Sequence, residues 1–111
     1  MPPDTIHMAR YDIYPNPFAP ERVHTPFVLD VQNDHLGPLA TRIVVPLRTP
    51  KSMPTPARGL NPVLQLSGGP VVLDTASLAP VPAALLKRPT PLPAGQHGEV
   101  LDALDTLFGA Y

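Results

Sequence analysis

The side chains able to carry chemistry in this chain are few and scattered. Its four histidines, His7, His24, His35 and His97, have no short spacing between them. They lie in stretches that read as loops or as an N-terminal extension, so nothing in their order makes a metal set, and a metal centre is not expected. Asp30 and Asp34 flank His35, the residue types of acid–base chemistry. The plainer reading is a strand running into an Asx-type turn. Arg42 and Arg48 bracket a β-branched run and suit a phosphate or carboxylate. Surface salt bridges are the simpler expectation. Ser52, Ser67 and Ser77 lack the context of an activated nucleophile. Cysteine is absent, which removes a disulfide framework, a thiolate nucleophile and a cysteine zinc site. No dinucleotide fingerprint, phosphate loop, His-Glu-x-x-His helix or calcium loop occurs. These residues do not specify an enzyme, and no cofactor is implied.

The last stretch is more informative. "GEVLDALDTLFGAY" places Val100, Leu101, Leu104, Leu107 and Phe108 on one stripe of a helix. Gly109 is a natural stop. Phe108 is expected to complete the stripe and pack on the rest of the fold. Tyr111 falls beyond the stripe. It is either an aromatic anchor for a partner, with much area and few rotors, or a tail folded back or frayed.

The elements that position these residues follow from the pattern. The 111 residues make one domain, or one subunit of a small oligomer. Hydrophobic residues are 43%, enough for a core, and 18 prolines should cut the chain into short elements. Residues 1–7 read as an extension and 8–111 as the domain. Residues 10–14 alternate and suit a strand. Residues 15–24 read as a loop. Residues 27–32 are the clearest strand, and 41–47 the next, joined through Gly37-Pro38 as an antiparallel hairpin. Residues 48–59 read as a proline-rich solvated connection. Val63 to Leu66 should pair with Val71 to Asp74 around Ser67-Gly68-Gly69. Residues 77–89 suit a helical turn or another strand. The sum is a mostly β protein with a C-terminal helix, a small barrel or rolled sheet.

The formal net charge is -1, with 8 basic and 9 acidic residues, and no basic stripe. Direct grip on nucleic acid is therefore not expected. There is no signal-peptide pattern and no apolar run near 18 residues, so a cytoplasmic protein without membrane contact is the expectation.

Four blocks in order resemble the CcdB toxin family, which poisons DNA gyrase. They are "MARYDIYPNP" from Met8, "FVLDVQNDHLGPLATRIVVPL" from Phe27, "LNPVLQLSGGPVVLDTASLAPVPAALL" from Leu60, and the terminal "GEVLDALDTLFGAY". The resemblance implies an SH3-like small barrel of the CcdB/MazF/Kid kind, closed by the terminal helix. It implies a homodimer with the two helices side by side. It implies a toxin that is not itself an enzyme, which binds the gyrase A subunit and traps cleaved DNA. A cognate CcdA-like antitoxin would wrap it with a disordered tail, and the pair would repress its own operon, as in plasmid maintenance. The gyrase-binding end would be Leu107, Phe108, Gly109, Ala110 and Tyr111.

That end departs from the family pattern, which reads like Phe-Trp-Gly-Ile. Phe108 matches. Gly109 stands where the tryptophan belongs, Ala110 replaces the glycine, and Tyr111 replaces the aliphatic residue. Loss of an indole at a buried anchor removes contact worth about 1–3 kcal/mol. Tyr111 sits two positions later, about 200° around a helix. Two alternatives follow: a relative that has lost poisoning and binds or titrates antitoxin, and an endoribonuclease on the related barrel.

Overall fold

The structure is a computed structural model that describes residues 8–34 and 39–109. Residues 1–7, including the expected extension and His7, lie outside the described residues. So do 35–38, with His35 and the expected Gly37-Pro38 turn, and Ala110 and Tyr111.

Among the described residues seven strands form one antiparallel sheet: β1 Asp12–Pro15, β2 Phe27–Asp30, β3 Thr41–Arg48, β4 Val63–Leu66, β5 Gly69–Leu73, β6 Ala79–Pro82 and β7 Thr90–Pro91. One helix, α1 (His97–Phe108), follows. The order is β4-β5-β3-β2-β1-β7, with β6 also on β3. The sheet curls into a half-barrel with α1 against it, which is the small β fold with a terminal helix that the pattern predicts.

The β2–β3 hairpin forms as expected, with Leu29 opposite Val45 and Asp30 opposite Val44. β3 then shares its other edge between two partners. Residues 41–44 pair with β6 and residues 47–48 with β5. Pro46 lies at the change of partner. Its carbonyl accepts from Asp74 N–H (3.0 Å) on the β5 side. In an antiparallel strand the amide of the same residue faces the same way. The missing N–H therefore points into the fork between β6 and β5, where no ladder bond is lost. A proline is tolerated in a central strand for that reason.

Alternation gives the sheet two apolar faces. Ile13, Leu29, Val45, Leu47, Leu64, Val71 and Leu73 form the larger core with Val100, Ala103 and Leu104 of α1. Tyr14, Val28, Val44, Val81 and Leu86 form the smaller core on the other face, with Met8 against it.

Several boundaries differ from expectation. β1 starts at Asp12, because Tyr11 adopts a left-handed backbone (φ 73°) and interrupts the run. Its carbonyl still accepts from Leu92 N–H (3.0 Å), which leads into β7, a two-residue strand that the sequence does not signal. β5 begins at Gly69, so Leu66 pairs with Gly69 and Val63 with Val72. The turn is Ser67-Gly68, and the positive φ falls on the next residue, Gly69 (φ 124°), a backbone that glycine adopts at little cost. Residues 77–89 supply both options, β6 and then a 3-10 turn at Ala83–Leu85. The proline-rich connection carries a 3-10 turn at Pro50–Ser52.

Candidate partner-binding surface

α1 begins at His97 on a 3-10 turn (Ala94–Gln96) and ends where Gly109 takes a left-handed conformation (φ 69°, ψ 44°). The Gly109 N–H then bonds to Asp105 C=O, and the helix stops as expected. Its burial differs from the expected stripe. Val100, Ala103 and Leu104 are buried, at i, i+3 and i+4. Leu107 is half-buried, while Leu101 and Phe108 are 43% and 69% exposed. Phe108 therefore does not pack on the sheet. The covered face runs along Val100, Ala103, Leu104 and the half-buried Leu107, and Leu101 and Phe108 stand on its open flank.

This open flank creates a surface that periodicity alone does not reveal. Leu101, Leu104 and Phe108, at i, i+3 and i+7, line an open depression of about 460 Å³. Val31, Ile43 and Leu78 supply more of its apolar lining. Arg10, Gln32, Asn33 and Asp105 complete it as polar lining. Of the five expected gyrase-binding residues, the structure places Leu107, Phe108 and Gly109 together at the helix end. Ala110 and Tyr111 lie outside the described residues.

The strand side of the depression is braced from below. Arg42 and Asp30 form a two-pronged ion pair, with Nε to Oδ2 at 2.7 Å and Nη2 to Oδ1 at 3.0 Å. Their side chains are 5% and 0% exposed, so this is a buried pair and not the surface bridge expected for Arg42. Burial lifts the Asp30 carboxyl above its ordinary value, against the opposing pull of Arg42 and the Gln32 amide. The Gln32 N–H donates to Asp30 Oδ1 (3.0 Å), an Asx-type contact at the point where β2 ends, two residues before the expected end of that strand. The Gln32 side-chain oxygen accepts from Ile43 N–H (3.0 Å), tying residues 32 and 43 together beside the depression. Asp34 accepts from Arg10 N–H (2.8 Å) and lies 3.7 Å from Arg42. Asp30 and Asp34 thus hold structure together rather than frame an acid–base site.

Arg10 also stands over the Tyr11 ring at 4.9 Å, and Tyr11 packs on the His97 ring at 4.3 Å. These contacts fix the N-terminal segment to the start of α1. Nearby in the second face, Tyr14 is fully buried with no hydrogen-bond partner for its hydroxyl among the described residues. Burial first, and then the charges of Asp12 and Asp30, push its pKa up to about 12.

Arg48 is held by Asp74 Oδ2 (2.6 Å) and Thr25 Oγ1 (2.7 Å). It lines a second groove of about 470 Å³ with Phe18, Glu21, His24, Val44 and Val81. Among the described residues no group of three His, Cys, Asp or Glu is arranged to hold a metal ion. No helix there is long and apolar enough to cross a membrane.

No curated protein matches the chain. A family model described as "CcdB protein" matches residues 10–109, from the Arg10 that lines the depression to the Gly109 that ends α1. That match spans nearly the whole fold described above, and with it the chain belongs to the CcdB family, the toxins of toxin–antitoxin pairs.

Proposed function

We propose that the protein is a homodimeric toxin that binds the gyrase A subunit through the end of α1 and traps the gyrase–cleaved DNA complex, and that a CcdA-like antitoxin neutralises it. The observation that carries this reading is Phe108. It is 69% exposed on the last turn of a helix whose first turns are anchored in the core. An aromatic held out on a rigid support loses little entropy on binding, which is what an interface anchor requires. The reading involves no catalysis by the toxin, and residues 8–111 would act as one domain.

A second reading has its own support. Gly109, at the family's tryptophan position, has a left-handed backbone that side chains other than glycine rarely adopt. The helix therefore ends before an indole there would extend it. This favours a relative that keeps the fold and its antitoxin but has lost poisoning.

A gyrase cleavage assay separates them. Purified protein is mixed with gyrase of its own host, ATP and plasmid, denatured, and run on a gel. The proposed function gives accumulated linear DNA that Phe108→Ser reduces at least tenfold, with no loss of fold because that ring is exposed. Absence of linear DNA from folded protein that still binds its antitoxin establishes the second reading. RNA incubated with the same protein stays intact under either.

A further inference from the structure

The curled sheet does not close. Its main run of strands ends at β4 and β7, and between them lies a cavity of about 520 Å³. Leu66, Gly68 and Gly69 line it from the β4–β5 turn, and Thr90 and Pro91 from β7, with Phe27 on another wall. It shares no lining residue with the depression at the end of α1.

One contact shows what the β4 edge is able to pair with. Pro62 C=O bonds to Leu73 N–H, so alternation turns the backbone groups of Val63 and Gln65 away from β5. At Gln65 both groups are taken by one side-chain amide. Gln65 N–H donates to Gln96 Oε1 (2.7 Å), and Gln96 Nε2 donates to Gln65 C=O (2.9 Å). A neighbouring strand makes the same paired donor and acceptor contact at a hydrogen-bonded position. The Gln96 amide thus occupies the place of a peptide group, at an exposed position where one rotamer change releases it. Arg88, also on the cavity wall, makes none of the ion pairs found among the described residues.

We propose that this seam is a strand-addition site for an extended partner peptide with small apolar side chains and a carboxylate, and that Gln96 is the latch such a peptide displaces. The peptide backbone pairs with Gln65, its apolar side chains enter the cavity, and its carboxylate meets Arg88. Main-chain bonds supply affinity and the cavity supplies selectivity, as in other edge-strand recognition.

The test uses the full chain and the synthetic probe acetyl-Val-Asp-Val-Asp-Val-amide, with binding read by titration and by amide exchange at Gln65. Gln96→Ala removes the competing amide and should tighten binding about tenfold, with slower exchange at Gln65 when the probe is present. Gln65→Pro deletes only an outward-facing donor on an edge strand, which such strands tolerate, and should abolish binding while circular dichroism is unchanged. Arg88→Ala should weaken binding and flatten its salt dependence. Equal binding by wild type, Gln96→Ala and Gln65→Pro overturns the proposal. So does Gln96→Ala protein that associates with itself in light scattering and ignores the probe, since the edge would then serve a second copy. Lack of probe binding to any variant also overturns it. None of these outcomes bears on gyrase cleavage, which is read at a different surface.

Discussion

At the scale of single residues, the buried polar groups decide how the protein responds to substitution and pH. Removing one partner of the Arg42–Asp30 pair leaves a charge in the interior. Asp30→Asn should therefore cost about 3–5 kcal/mol in denaturant unfolding. Replacing both partners with apolar residues of similar size should recover most of that loss. Tyr14 gives the opposite case. Its hydroxyl is buried without a bond, so Tyr14→Phe should change stability at neutral pH by less than about 1 kcal/mol. Its pKa, raised to about 12, makes the folded state hold a proton that the unfolded state releases near pH 10. Stability from this group is intact below pH 10 and falls as pH rises toward 12, by about 3 kcal/mol in all. Unfolding curves between pH 9 and 12 should show that fall in the wild type and lack it in Tyr14→Phe.

At the scale of elements, α1 has two functions that its single stripe conflates. The Val100, Ala103 and Leu104 side chains seal the larger core, and the last turn leaves Phe108 exposed, as the proposed function requires. Gly109 defines the boundary. A Cβ built there meets nothing within 4 Å, so only its positive φ resists replacement. Gly109→Ala should cost about 1 kcal/mol through the lost cap and leave the core packing untouched. A thermal melt would measure it, and a cost above about 3 kcal/mol would mean that the helix end is packed rather than free. The β2–β3 hairpin is the other decisive element. Its Asx-type contact at Asp30, its buried ion pair and the Gln32–Ile43 bond set the strand side of the depression against the flank of the helix.

At the scale of the whole molecule, the half-barrel leaves one apolar surface beside α1, where Leu101 and Phe108 are exposed around the edge of Leu104. In the homodimer of the proposed function Leu101 lies between the two helices, while Phe108 stays free for the gyrase A subunit. Light scattering at tens of micromolar should give the mass of a dimer, and Leu101→Lys should give a monomer of unchanged circular dichroism. A monomeric wild type at that concentration would contradict the dimer. Such an outcome would leave the fold intact, since both cores are complete within one chain.

What the sequence determined by itself was the local content. The β-branched run at 41–47, the alternation at 27–32, the glycine turn near 68 and the terminal 3.6-residue period each express a short-range steric rule, and each became the element expected. The Asx-type contact at Asp30 was not placed there by the sequence, which ran the strand on to Gln32 and put the turn after it. The tertiary structure decided what depends on distant partners. Arg42 meets Asp30 across a strand pair and is buried with it. β7 exists only because Tyr11 and Leu92 come together. Phe108 was expected inside and stands outside, because the sheet covers the line of Val100, Ala103, Leu104 and Leu107 and leaves the flank of Leu101 and Phe108 open. Side-chain periodicity fixes which residues share a face of a helix, but burial is set by how far the opposing surface extends, and that is a property of the assembled fold.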